Sequence, residues 1–226
     1  MKILTIDTSD RSIVGVVDTD LGDVTELACE VSADTRHHAE TLTPMVAKVL
    51  TDAGITKPDL IVAGTGPAAF TGLRAGLMTA RALARGWDVP VVGVSSLETI
   101  ALGAARTGAD EVLAVIDARR KELFALRARP MGPDDVAVMS GPEIVKPAAL
   151  PAMLDEAPAV VATSHPDLYP ELADATAISC RPAMMATLAL SHQGRQDAGE
   201  AIDLSTQPQY LRRPDIHNGG VPQPQA

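Results

Sequence analysis

Residues 3–9 read ILTIDTS, an apolar run halted by Asp7, Thr8 and Ser9. Residues 112–117 read VLAVID, a second apolar run halted by Asp117. Each has the pattern of a buried strand that ends in a polar turn. The stretches beyond the two turns are also alike. After the first, Ser12–Val17 is β-branched, and residues 21–23 form a turn before Val24–Val31. After the second come strand-like segments at Leu123–Arg127 and Val136–Met139. Short strands joined by tight turns predict an antiparallel meander in each half. The pattern predicts a duplicated, two-lobed α/β chain, with the lobes meeting near residues 104–110.

Between the meanders the period lengthens. Leu42, Met45, Val46, Val49, Leu50 and Ala53 fall on one helical face, and Gly54 is placed to end that helix. Thr43 before Pro44 is a candidate cap, with an earlier start near His38 as the alternative. Leu60–Ala63 reads as a strand, and Thr71–Arg85 as a helix. Gly72, Gly76, Ala80 and Ala84 recur every four residues along it. Such a stripe without bulk lets another element approach the backbone. A strand at Val89–Val94 and a helix at Leu97–Ala105 complete the first half. The second half continues with a helix at Pro147–Leu154, a strand at Val160–Ala162 and helical sequence near Ala183–Gln193. The segment from Pro214 is rich in Pro, Gly and Gln without hydrophobic period, and is expected to be a mobile tail.

Composition narrows function. The chain has 226 residues, 46% of them hydrophobic, enough for a sizeable core. One Trp, two Tyr and two Phe give little material for stacking bases. A net charge of −10 repels a polynucleotide on average, so autonomous nucleic-acid binding is disfavoured while a local basic patch stays open. Cys29 and Cys180 are too few for a disulfide framework or a four-cysteine zinc site. The opening MKILTID is too short for a signal-peptide core, and no membrane-length apolar run exists. The expectation is a cytoplasmic protein.

The candidate chemistry is sparse. The loop Gly64-Thr65-Gly66-Pro67-Ala68-Ala69 precedes a helix, a setting that can cradle phosphate. It lacks the Gly-Lys-Ser/Thr of a P-loop and the third glycine of a dinucleotide fingerprint, so a tight turn is the simpler reading. Asp7-Thr8-Ser9 and Asp117-Ala118-Arg119 sit where sugar kinases and actin grip phosphate, but no glycine follows either Asp. Surface turns are the favoured reading for both. His38 and Glu40 lack the i, i+4 imidazole pair of a helical zinc site, so partner contact or a solvated face is expected there. His165, His192 and His217 are scattered, and no Ser/His/Asp constellation is legible. Arg119-Arg120-Lys121 is a short basic run.

Six segments together resemble one family: ILTIDTS (3–9), HHAETLTPMV (37–46), GTGPAAFTGLRAGL (64–77), PVVGVSSLETIA (90–101), VLAVIDARRKELF (112–124) and PQYLRR (208–213). They resemble the bacterial TsaB (YeaZ) family, a glycoprotease-like paralogue of TsaD in the machinery that makes threonylcarbamoyladenosine in tRNA. The resemblance implies a duplicated actin-like (ASKHA), ribonuclease H-like α/β fold, with lobes at 1–106 and 107–213 and a tail at 214–226. The paralogue's two metal-binding histidines match Ser96 and Ile100 here. The resemblance therefore implies a non-catalytic scaffold, with no metal of its own. ATP or ADP and a metal ion are expected only in the assembled complex.

The implied partners are the TsaD-type transferase, a TsaE-type ATPase, and tRNA only indirectly, with a homodimer when the chain is alone and no membrane. The partner surface is expected on helices 38–53 and 71–85. It would use His38, Glu40, Leu42, Met45, Val46 and Val49, with Phe70, Thr71, Gly72, Arg74, Gly76 and Ala80. Asp7, Thr8, Ser9, Gly66 and Asp117 would be vestigial nucleotide turns. One departure stands out: Ala68-Ala69 replaces the family's Gly-Ser, which removes a hydroxyl able to cap the helix. Two other readings are a glycoprotease-like peptidase and a small-molecule kinase of the actin-like class.

Overall fold

The computed structural model describes residues 1–20, 22–33 and 38–212, apart from the side chain of His38. The expected tail lies outside these residues. The first half contains β1 (Lys2–Asp7), β2 (Ile13–Asp20), β3 (Asp23–Val31), α1 (His38–Asp52), β4 (Leu60–Gly64), α2 (Phe70–Trp87), β5 (Val91–Val94) and α3 (Ser96–Ala105). The second contains β6 (Val112–Arg119), β7 (Glu122–Pro130), β8 (Val136–Val145), α4 (Leu150–Glu156), β9 (Val160–Thr163), β10 (Thr176–Ala177) and α5 (Pro182–Asp197).

The two sheets have the same topology. The first runs β3-β2-β1-β4-β5 and the second, read from its other edge, β8-β7-β6-β9-β10. In each, the first three strands form the antiparallel meander and the last two run parallel to the first. This is the ribonuclease H-like order, present twice, as a duplicated actin-like α/β fold requires.

Side-chain alternation sets the layers. In β1, Leu4 and Ile6 face outward and pack with Leu42, Val46 and Val49 of α1 and Leu73 and Leu77 of α2. Ile3 faces the other way, into a core shared with Ile116, Phe124 and Leu126 of the second sheet. Two helices fill that middle layer, and they are exchanged. α3, from the first half, packs on β6–β9, while α5, from the second, packs on β1–β5. Gly15 permits the latter approach: a Cβ there would lie 2.3 Å from the Pro182 ring. α3 brings small and aliphatic residues, Leu97, Ile100, Ala101 and Ala104, all buried. No helix among the described residues is long and apolar enough to cross a membrane.

Two local readings change. α1 begins at His38 and carries Pro44 inside it, so Thr43 is not its cap. Glu40 lies in the first turn, where its charge opposes the positive end of the helix dipole. Between residues 147 and 172 the second half uses 3-10 turns and a short α4 as its outer layer. Their prolines sit in first turns, where the missing amide costs no hydrogen bond.

The stripe on α2 faces inward. Gly72, Gly76, Ala80 and Ala84 are all buried within this chain. A Cβ on Gly76 would stand 2.3 Å from Thr8 Oγ1, and Thr8 Oγ1 donates to the Gly72 carbonyl at 2.9 Å. The close approach that the stripe permits is therefore that of the β1–β2 turn.

Gly76→Ala is expected to destabilise the protein by about 1–3 kcal/mol through overpacking. Ala69→Ser should do the reverse. Ala69 is an extended N-cap with no side-chain bond, so a hydroxyl there is worth about 1 kcal/mol. Thermal melting of the two variants beside the parent checks both signs.

Candidate functional site

The Asp7 turn is built into the interior. Asp7 is 1% exposed. Its Oδ1 accepts from the Ser9 amide at 3.0 Å and the Ser9 hydroxyl at 2.6 Å, and its Oδ2 accepts from Ser96 Oγ at 2.6 Å. Burial pushes the Asp7 carboxyl above its ordinary range, against the lowering effect of these bonds. Gly64 makes room for it, since a Cβ there would lie 1.9 Å from Oδ2. The Gly66 carbonyl likewise accepts from the Ser96 amide at 2.9 Å. Asp7, Thr8, Ser9 and Gly66 are therefore interior and not surface turns. They brace the end of β1 against the start of α3. The expectation is corrected on this point because period-two alternation places Asp7 on the inner face with Ile3 and Thr5.

The two positions that the resemblance matches to the paralogue's metal ligands are taken up by the fold. Ser96 Oγ is committed to Asp7, and Ile100 is 1% exposed in the shared core. These residues do not fit a metal ion: one is an apolar side chain and the other a hydroxyl already donating. Among the described residues no group of three His, Cys, Asp or Glu could hold a metal.

The second turn behaves differently. Asp117 is half-buried and borders an open cleft of about 400 Å³ between the halves, with Asp10, Arg119, Ser164 and His165. Asp10 receives Ser164 Oγ at 2.7 Å and faces His165 Nε2 at 3.0 Å. Sequence offered no signal for this trio, whose members lie 154 and 155 residues apart. It is not a nucleophile–base pair, because Ser164 donates to the carboxylate and not to the imidazole.

A charged quartet lies on the other side of α3, with Asp135 and His192 buried and Glu98 and Arg195 partly buried. Asp135 accepts from Arg195 at 3.0 Å and Ser191 at 2.8 Å, and it stands 3.3 Å from His192 Nε2. Glu98 approaches the same nitrogen at 3.7 Å. Burial pushes the Glu98 carboxyl up. Burial opposes ionisation of Asp135 too, but its hydrogen bonds prevail and hold it at about 2.

The loop–helix corner is closed by a strap. Residues 204–212 cross from the β5 edge to the β6–β7 turn. The Gly93 amide donates to the Leu204 carbonyl at 2.9 Å, and the Gln209 amide to the Thr65 carbonyl at 2.9 Å. Arg81 grips Thr206 by its Oγ1 at 2.7 Å and its carbonyl at 2.5 Å. Tyr210 stacks on Phe70 at 4.9 Å, while Arg74 lies 3.9 Å over the Phe70 ring and donates to the Tyr210 hydroxyl at 2.8 Å. Arg212 reaches the Ala118 carbonyl at 3.2 Å and pairs with Glu122. Phe70 and Arg74, expected at a partner surface, thus also hold the strap. Ala68 adopts none of the left-handed angles that its replacement of glycine would have strained.

The expected partner surface divides. Leu42, Val46, Val49, Gly72 and Ala80 are buried in the chain's own core, as is Gly76, and are removed from that surface. A helix on a sheet turns its apolar stripe inward, and its partner-facing side is the opposite one. Glu40, Thr71 and Arg74 are exposed, and Met45 and Phe70 half-buried. His38 opens α1, and its side chain lies outside the described residues. Sequence reading missed Met78, at 59% the most exposed large hydrophobic side chain among the described residues. Its place on the outer side of α2, one turn beyond Arg74, was the available signal.

The fold and these braces define a duplicated actin-like protein whose first phosphate-type turn is internal. A sequence model described as TsaD: tRNA N6-adenosine threonylcarbamoyltransferase matches residues 29–179. The chain is 35% identical over 217 residues to an uncharacterized protein of Mycobacterium tuberculosis, covering 94% of this chain and 92% of that one. It is 45% identical over 92 residues to the tRNA threonylcarbamoyladenosine biosynthesis protein TsaB of Escherichia coli, covering 39% of this chain and 40% of that one. A solved Pseudomonas aeruginosa structure, described as an uncharacterized protein with similarity to peptidase YEAZ, superposes with a TM-score of 0.70 at 27% identity, over 93% of this chain and 99% of the other. The chain belongs to the TsaB (YeaZ) family, within the wider group that includes TsaD.

Asp7→Ala is expected to cost about 2–3 kcal/mol, because Ser9 and Ser96 lose their buried acceptor. Asp7→Asn should stay folded, since an amide can still bridge the same hydroxyls. Equal loss in both variants, measured by chemical unfolding, would show that the negative charge itself is needed. For Asp135, the folded value lies below the unfolded one. Its contribution is therefore present above about pH 4 and lost as pH falls toward 2. Melting temperature should drop across that window in the parent and flatten in Asp135→Asn.

Proposed function

We propose that this chain is a non-catalytic subunit of tRNA N6-threonylcarbamoyladenosine biosynthesis, working at the adenosine next to the anticodon. It pairs with a TsaD-type transferase and does not carry the transfer itself. The observation that supports this most is the fate of the two metal-ligand positions. Ser96 is the donor in a buried bond to Asp7, and Ile100 is core. The chain matches a relative over 94% of its length, and at those two positions it carries a bonded hydroxyl and an apolar core side chain.

In this reading the transferase supplies the metal and the electrophilic chemistry. Nucleotide belongs to the assembly, together with a TsaE-type ATPase. The docking face is the outer side of α1 and α2, with Met78 as its apolar centre. A homodimer through the same face forms when the transferase is absent. The localisation consistent with this role is cytoplasmic.

Met78→Glu is expected to weaken binding to the transferase by about tenfold or more, roughly 1.4 kcal/mol. Its melting temperature should match the parent's, because the side chain is outside the core. Calorimetric titration and a melt decide it: unchanged affinity removes α2 from the interface. The purified chain alone, given tRNA, the carbamoylated threonine adenylate and metal, should transfer nothing. Transfer under those conditions ends the non-catalytic reading.

A further inference from the structure

A cleft of about 490 Å³ lies where α3, the strap and the β7–β8 hairpin meet. Its lining has two kinds of chemistry. Met131, Val136 and Val138 of the hairpin give it aliphatic surface. Glu98 of α3 and Gln209 of the strap give it oxygen acceptors. A volume of this size suits a small molecule.

Most polar groups around the cleft are already used. Thr65 Oγ1 donates to the Val94 carbonyl at 3.0 Å, and Ser95 Oγ to the Gly66 carbonyl at 3.4 Å. Asp203 accepts from the Ser205 amide at 2.8 Å. Arg195 is held by Asp135 and Glu200, and His192 Nε2 lies nearer Asp135 than Glu98. Two acceptors set back from water remain without a donor among the described residues. The Glu98 carboxylate accepts no hydrogen bond, and its ion-pair contact is His192 at 3.7 Å. Gln209 Oε1 is buried and unpartnered.

Glu98 also leaves a local alternative unused. Ser95-Ser96-Leu97-Glu98 has the form of a capping box, in which the glutamate would accept from the Ser95 amide. Only half of the box forms: Ser95 Oγ accepts from the Glu98 amide at 3.4 Å. The carboxylate borders the cleft instead, with its side chain 19% exposed. The dipole of α3 favours charge there but supplies no donor. An acceptor withdrawn from water without a donor is costly, most of all a charged one.

Both deficits call for the same thing, N–H donors carried by a positive charge. An alkylammonium has both, on a stem that suits an aliphatic lining. We propose that this cleft binds a small aliphatic primary amine. Its ammonium sits at Glu98 with Gln209 Oε1 as a further acceptor, and its methylene stem lies along Met131, Val136 and Val138. An anion would meet Glu98 and Asp203 and find the Arg195 guanidinium engaged. The site is separate from the docking face, which lies on α1 and α2, and does not depend on that reading.

The test is a ¹H–¹⁵N NMR titration of the full chain with n-pentylamine at neutral pH and constant ionic strength. Saturable shifts are expected at the Glu98 backbone amide and the Gln209 side-chain amide. n-Pentanol keeps the stem without the charge, and should bind weaker by about tenfold or more. Ammonium chloride keeps the charge without the stem, and should bind weaker by about tenfold or more as well. Glu98→Gln keeps the shape and should lower amine affinity by about tenfold or more. Gln209→Ala leaves the strap's backbone bond to Thr65 in place, and should lower it by roughly threefold. A melt of each variant confirms its fold, and the pentanol comparison decides on the parent protein alone. No saturable shift, shifts confined to other residues, equal binding of pentanol, or unchanged affinity in a folded Glu98→Gln each overturns the proposal.

Discussion

Everything in this molecule depends on the exchange of its two middle helices. Each sheet has an inner apolar face, and the helix that covers it comes from the other half of the chain. Neither sheet can hide Ile3, Val62, Phe124 or Leu126 from water with its own segments alone. A chain cut between residues 106 and 107 would strip both sheets at once. Burial of aliphatic surface at about 25 cal/mol per Å² is the dominant favourable force, and here it accrues only when both halves are present. The exchange also explains the low bulk along the seam. Gly15 lets Pro182 approach, and the alanines of α3 let it lie between strands and α5.

That seam decides what the duplicated turns can do. The first must bind the start of α3, so Asp7 is turned inward and shares its lone pairs between Ser9 and Ser96. A carboxylate buried and bonded in this way is committed to bracing the fold. The second turn carries no such duty. Asp117 stays at the cleft, and the residues after it leave the fold in left-handed conformations. Duplication gave two equivalent corners, and the packing made one a brace and the other a surface.

Periodicity carried most of the fold because it reports burial directly. The meander, the α1 stripe and the repeat of ILTID in VLAVID all translate into elements found at those places. The α2 stripe shows where such reading stops. Gly72, Gly76 and Ala80 announce that something approaches closely, but spacing holds no information on whether it is another molecule or the chain's own Thr8. The same limit hid Asp10 with His165, and the quartet around Asp135. Those groups meet only through the tertiary fold, across tens of residues or more, and no local pattern links them. The strap was visible as PQYLRR but not as a clasp, because its partners, Thr65, Phe70, Arg74 and Ala118, belong to segments read separately.

Burial of the stripe has a consequence for the outer side of α2. Because small residues let the helix sit low on β1 and β4, its opposite side stands clear of the core, with Met78 exposed. One turn toward the N-terminus, Arg74 lies on Phe70 and bonds Tyr210. A single rigid helix thus carries an apolar contact at its middle and the ring-and-cation corner at its start. If the chain is the docking subunit we propose, a partner that seats on Met78 fixes the orientation of α2, and through Arg74 it fixes the strap. Docking and the strap would then be mechanically continuous: the ring pair is held from one side by the helix and from the other by the strap, and neither side can shift without moving Tyr210.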